Sequence, residues 1–251
     1  EDTTITMPVF EQEEKLDFIF TVDTTIADVS PSDSFSFTFN GAISAFVNWG
    51  DGIEEYISPT QLSPITHQYQ NGGVYDISIN GYFNIRNLTD KKKLIKVKQW
   101  GKGIINSLNN AFSNNINLTE VPLNETLFLP NDSRFCFNVV NLISNFGKID
   151  SSNCGNLQRF FYGTNFDYNV GDWNVSLVNN MSQMFEYTSM SQANCDNILV
   201  GWTRWSNGQA NITLKSNVSL HLGNTDYTRG GDVEAAFNYL VNTLNWTITF
   251  G

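Results

Sequence analysis

The stretch VNWGDGIEEY, Val47 to Tyr56, sets one acidic residue between two glycines, beside a tryptophan and ahead of two more carboxylates. It reads as a metal site, an acid/base site or a hairpin. Its flanks, AFVNW and IEEYI, are strand-like. The Asp51-Gly52 pair between them tolerates the positive φ that tight hairpins demand. One carboxylate plus Glu54 and Glu55, which an extended chain points to opposite faces, makes a poor cation cage. Backbone geometry alone therefore accounts for Asp51, and Trp49 becomes a core anchor. On this reading Asp51→Asn is nearly silent and calcium leaves the melting temperature unchanged.

The neighbouring segments alternate with period two, the signature of strands. LDFIFTVD sets Leu16, Phe18, Phe20 and Val22 on one face. SFSFTFN sets Phe35, Phe37 and Phe39 against Ser34, Ser36, Thr38 and Asn40. VYDISING turns Tyr75, Ile77 and Ile79 inward and Asp76, Ser78 and Asn80 outward. Short alternating strands parted by turn residues predict an antiparallel sandwich. W-G-D-G at 49–52, then His67-x-Tyr69, then the Gly72-Gly73 turn and Tyr75-x-Ile77-x-Ile79 form an ordered set. It resembles the polycystic-kidney-disease (PKD) type immunoglobulin-like module. The resemblance implies a β-sandwich over residues 14–85. His67, inside that pattern, reads as a hydrogen-bonded histidine at the core's edge rather than a ligand.

The second half repeats. Phe112, Phe137, Phe161 and Phe185 are spaced by 25, 24 and 24 residues. Each follows an apolar or small residue: Ala111, Cys136, Phe160 and Met184. Four before each stand Leu108, Ser133, Leu157 and Met181, and five or six after stand Leu118, Leu142, Phe166 and Met190. Trp100 and Trp173 precede the first and last by twelve. Columns kept in phase predict a solenoid, because each repeat buries its apolar face only against its neighbours. Ser133 breaks the apolar column, so the second turn is expected to be irregular.

The words LNNAFSNNINLTEVP, LQRFFYGTNF and WNVSLVNNMSQMFEYTSM resemble the BspA-type (Treponema-type) leucine-rich repeats of surface proteins. The tail from Asn211 to Gly251 is similar to that family's terminus. It implies a strand, a helix near Asp232 to Asn242 and a closing WTIT strand. A PKD-like module ahead of the repeats is also that family's order. The implied fold is mainly β with short helices. Its parts are an N-terminal strand or arm (1–13), the sandwich (14–85), a basic connector (86–99), a leucine-rich-repeat solenoid of about four turns (100–205) and an α/β cap (206–251).

Composition narrows the function. The chain has 251 residues, 41% hydrophobic, and a net charge of -11. That charge argues against nucleic acid, whose phosphates need lysine and arginine. No apolar run reaches the roughly 18 residues of a membrane-spanning helix. The chain begins EDTTIT, with neither an initiator Met nor a signal pattern, and reads as processed or trimmed. Residues 1–60 carry 12 of the 25 acids and one base, while 86–102 carry 7 of the 14 bases. Such a basic run reads as a solvated face or as a patch for an acidic partner. Cys136, Cys154 and Cys195 form no C-x-x-C pair and read as small buried residues. Nine Asn-x-Ser/Thr sequons in an Asn-rich chain weigh mildly toward an exported glycoprotein.

No catalytic motif appears, and His67 and His221 stand 154 residues apart. Asp150, Asp167, Asp172 and Glu186 share no column and read as solvated. The expectation is a non-enzymatic binding or adhesion protein, extracellular and displayed on a cell or virion surface. It requires no metal or cofactor, and its partner is a protein or glycan. The alternative is a structural subunit of an appendage, filament or virion. There TTITMPVF would pair with a neighbouring copy by strand addition. A glycoside hydrolase is the weakest reading.

Overall fold

The structure, a computed structural model, describes residues 17–38, 44–58, 60–61, 63–84, 88–101, 107–141 and 146–251. Leu16, Phe39, Asn40, Leu142 and the segment TTITMPVF lie outside these residues. The described fold is mainly β, with eleven strands and two α-helices.

The first strands are β1 (Phe18–Asp23), β2 (Ser34–Phe37), β3 (Ser44–Asn48), β4 (Glu54–Ile57), β5 (Ile65–Gln68), β6 (Val74–Tyr82) and β7 (Leu94–Gln99). Five of them form one sheet in the order β4-β3-β6-β1-β7, antiparallel throughout, and β2 pairs with β5. The two sheets meet through Phe20 against Phe35 and Phe37 against Trp49. The alternating pattern in the sequence thus built what it predicted: Phe18, Phe20, Val22, Ile77 and Ile79 are buried, while Asp76 and Asn80 face water. Strand β2 departs from it. Ser34 and Ser36 are as buried as Phe35 and Phe37, because residues 88–93 fold over that face and meet it with polar groups.

Residues 86–99 are more than the connector that their basic composition suggests. Strand β7, inside that stretch, is the sheet's edge strand, paired with β1. It also begins a second ladder, for the Val97 amide donates to Glu120 O in a parallel bridge. The sheets and the C-terminal half of the chain therefore share a strand. They also share a core, where Phe18 lies 6.3 Å from Phe112 and 6.4 Å from Trp100 between ring centroids.

Beyond β7 the chain winds through successive coils. Parallel bridges join Ser107 to Asp132, Asp132 to Asn156 and Asn156 to Asn180. Alternate amides donate to the next coil: Leu157 to Asn180 O, Arg159 to Ser182 O, Phe161 to Met184 O and Gly163 to Glu186 O. Every coil places residues in the left-handed region at the same two phases. Asn110, Phe135, Arg159 and Gln183 hold the first, and Asn114, Val139, Gly163 and Tyr187 the second. Both phases close tight turns, which bring each phenylalanine back to the same inward position. Phe112, Phe137, Phe161 and Phe185 are consequently stacked face to face at 5.3, 6.0 and 6.0 Å. Ser133 does not disturb this register. It is fully buried, but its hydroxyl donates to Pro130 O, so no polar group is stranded.

On the flank of the coils, β8 (Thr126–Phe128) pairs in parallel with β9 (Lys148–Asp150). After Met190 the chain leaves the coils for helix α1 (Gln192–Thr203). It returns as β10 (Ser219–His221), which takes the bridge from Met181, then forms α2 (Gly231–Asn238), continued by a π-helical turn over Tyr239–Thr243. It closes with β11 (Thr247–Thr249), parallel to β10. The tail thus extends the same ladder by two more rungs.

Candidate functional site

Asp51 sits where the hairpin reading puts it, between β3 and β4. The loop is longer than a two-residue turn, since Trp49 N donates to Ile53 O. The positive φ values fall on Gly50 (84°) and Gly52 (91°). Gly50 has a second reason to be glycine, because a Cβ there would lie 2.4 Å from Asp76 O. Asp51 Oδ1 accepts from Ile53 N, and Oδ2 meets His67 Nε2 at 2.8 Å. The imidazole lies against Trp49 and Tyr69, and the Tyr69 hydroxyl donates to Trp49 O. Burial raises the Asp51 pKa; the His67 and Ile53 hydrogen bonds more than offset it and hold the carboxyl below its ordinary value. Glu54 and Glu55 point apart, Glu54 to Asn48 and Glu55 to Trp49 Nε1 and Gln61. Among the described residues no three His, Cys, Asp or Glu side chains gather in a group that could hold a metal ion.

The basic run is less solvated than its composition suggests. Lys93 is fully buried, and its ammonium donates to Ser30 O, Ser30 Oγ, Pro31 O and Ser34 O at 2.6–2.9 Å. Asp90, also fully buried, accepts from Ser30 N, Ser30 Oγ and Ser36 N. Ser30 therefore bridges the two opposite charges. Lys96 and Lys98 pair at the surface with Glu120 and Asp76.

The three cysteines are free and buried. Burial pushes the Cys136 thiol far up, Cys154 to about 11 and Cys195 to about 12. These are inert thiols. His221 is nearly enclosed, and burial lowers its pKa. The acids of the coils serve local roles. Asp167 accepts from Ser191 N, Ser191 Oγ and Asn194 Nδ2 at the start of α1, and Asp150 accepts from Ser152 N.

A concave constellation of side chains lies on the flank of the coils, a groove of about 270 Å³. Phe166 and Trp173 form its buried floor; Tyr168, Lys148, Asn169 and Asp172 stand around it. Its frame is rigid. Phe166 stacks on Phe161 at 3.8 Å, and Tyr168 meets the Phe166 ring edge-on at 5.3 Å. The 169–173 turn is clamped to α1. A Cβ on Gly201 would lie 2.3 Å from Gly171 O, and Arg204 donates to the carbonyls of Gly171 and Asp172. In the sequence Asp172, Trp173 and Phe166 read only as a solvated acid and two repeat positions. Their convergence comes from stacking of the coils.

Residues 131–208 match a protein family described as "Mycoplasma protein of unknown function, DUF285". The match begins in the second coil and runs through α1. No curated protein matches the chain, and no solved structure does. No helix among the described residues is long and apolar enough to cross a membrane.

Proposed function

We propose that this chain is a non-enzymatic binding protein, displayed outside the cell or on a virion, that meets a protein or glycan with the surface of its coils. In this reading the coils are a leucine-rich-repeat solenoid of BspA type and the preceding sheets a PKD-like module. The observation that carries it is the in-phase ladder. A stack of phenylalanines held by parallel bridges makes a stiff periodic surface, and stiffness limits the entropy lost on binding. The Trp49–His67–Asp51–Tyr69 cluster supports the PKD-like assignment. It gives Trp49 and Asp51 of W-G-D-G partners in His67 and Tyr69 of H-x-Y.

A second reading, a structural subunit, draws on one observation. Strand β4 ends the five-stranded sheet with β3 as its only neighbour among the described residues, so its outer edge offers backbone groups to a strand from another copy. Sedimentation velocity on the full chain and on a chain without Thr3 to Phe10 separates the two. The binding-protein reading expects a discrete monomer from both. A ladder or fibre that disappears on deletion favours the subunit.

A further inference from the structure

We propose that the groove between β9 and the 166–173 segment binds a neutral hexopyranose unit of a glycan. The inference deepens the surface-binding reading and rests on it. A pyranose has an apolar C–H face and a rim of hydroxyls, and the groove offers a counterpart to each. Phe166 and Trp173 are covered, 3% and 5% exposed, and form an apolar base beside Tyr168, whose half-buried ring is the aromatic surface open to a ligand. Among the described residues, the Lys148 ammonium, the Asp172 carboxylate and the Trp173 indole N–H make no side-chain hydrogen bond or ion pair. Trp49, Trp202 and Trp246 donate to Glu55, Val170 O and Lys215 O, while Trp205 Nε1, outside the groove, likewise has no partner among the described residues. The Asn169 side-chain oxygen accepts from Gly171 N, which leaves its amide N–H₂ as a further donor.

Charge selects among ligands. Lys148 and Asp172 line the same groove with opposite signs, so an anionic sugar meets Asp172 and a cationic one meets Lys148. The net charge of -11 adds a general penalty on anions. Vicinal hydroxyls escape both penalties, because each can donate to the carboxylate and accept from the ammonium. Hydrogen bonds to charged groups are the stronger kind. The clamp on the 169–173 turn fixes Asp172 and Trp173 before the ligand arrives, which lowers the cost of ordering them. A pocket whose lining residues are mostly apolar or aromatic, with a few converging polar groups, is the usual build of a small-ligand site.

The test is calorimetric titration of the intact chain with cellotetraose, mannotetraose and β-1,4-galactotetraose, with a hyaluronan tetrasaccharide as the anionic comparison. At least one neutral tetraose is expected to bind with a Kd on the order of 0.1–1 mM. Tyr168→Ala and the exposed Asp172→Asn should each weaken it by about tenfold or more, with thermal melts close to wild type for Asp172→Asn. Tyr187→Ala, outside the groove, should leave it unchanged. The proposal is overturned if no neutral tetraose binds by about 10 mM. It is also overturned if Asp172→Asn and Tyr168→Ala both bind as wild type does, or if the anionic tetrasaccharide binds tightest. A monomeric chain that ignores every tetraose removes the groove assignment alone. The broader surface-binding reading falls only if the chain assembles into a fibre.

Discussion

His67 lies flat on Trp49, with ring centroids 4.7 Å apart and planes 10° from parallel, and Asp51 holds it there at 2.8 Å. The hairpin reading explains Asp51 by its backbone alone and expects Asp51→Asn to be silent. The hydrogen bond to His67 changes that expectation. Asn keeps the acceptor for Ile53 N but loses the charge facing His67. The expected loss is about 1 kcal/mol or less, the scale of a partly exposed pair. Urea unfolding at pH 6 checks it. A loss well above 2 kcal/mol would mean that Asp51 does more than cap a turn and pair with one histidine.

Acid stability follows from the same carboxyl and two others. Burial raises Asp51, Asp76 and Asp167, and their hydrogen bonds outweigh it: to His67, to Lys98 and Thr21, and to Ser191 and Asn194. All three are held below the ordinary value in the folded chain. The unfolded chain therefore takes up these protons first as pH falls. Their stabilising contribution is complete above about pH 4 and is lost as pH drops through the lowered folded values. Melting temperatures measured from pH 6 down to 2 should fall most steeply below about pH 4. Asp51→Asn should soften that fall.

Lys93 should be indispensable. Replacing it with Met removes the donor group that serves the carbonyls of Ser30, Pro31 and Ser34 together and leaves Asp90 buried without its cationic neighbour. Breaking a buried charged network of this kind costs roughly 3–5 kcal/mol. Equilibrium unfolding of Lys93→Met measures it. A loss under about 1 kcal/mol, typical of a surface lysine, would contradict the burial.

Gly163 and Val139 hold the same left-handed phase in adjacent coils, at φ 65° and 54°. A Cβ on Gly163 would meet Val139 Cγ2 at 3.5 Å, an ordinary contact, so space is not the obstacle. Gly163→Ala should cost roughly 1–2 kcal/mol through backbone strain alone. Val139→Gly relieves the same strain and should cost less than its lost side chain implies. Thermal melts of the two variants give the comparison, and equal losses would argue against the shared phase.

Much of this architecture is legible in the sequence. The phenylalanine column is readable because burial recurs with the period of the coil. The Trp49, His67 and Tyr69 words are readable because their order is fixed by the sheets. Helix α1 escapes that reading, although Cys195, Ile198, Leu199 and Trp202 have the i, i+3, i+4, i+7 spacing of a buried helical face. The repeat words ahead of them draw those residues into the coil. Nothing in the run Lys91-Lys92-Lys93 distinguishes the third lysine, because its acceptors lie some sixty residues away. The groove is likewise hidden, since Lys148 and Asp172 meet only after the coils stack.

The thiols offer a simple probe of the core. With all three buried and their pKa values raised, none should react with a thiol reagent at pH 8 in the native chain, and three should react in denaturant. Rapid native labelling of Cys136 would contradict its place in the column beside Phe137.

The coils, their surface and the groove all depend on the stacked phenylalanine column. Phe161 is its centre, packed between Phe137 and Phe185 and under Phe166. The direct measurement is the equilibrium unfolding free energy of Phe161→Ala against wild type. The expected loss is about 3–5 kcal/mol, enough to unfold a marginal chain whose total stability is roughly 5–15 kcal/mol. A loss below about 1 kcal/mol, the behaviour of a surface residue, would contradict the register of the whole ladder.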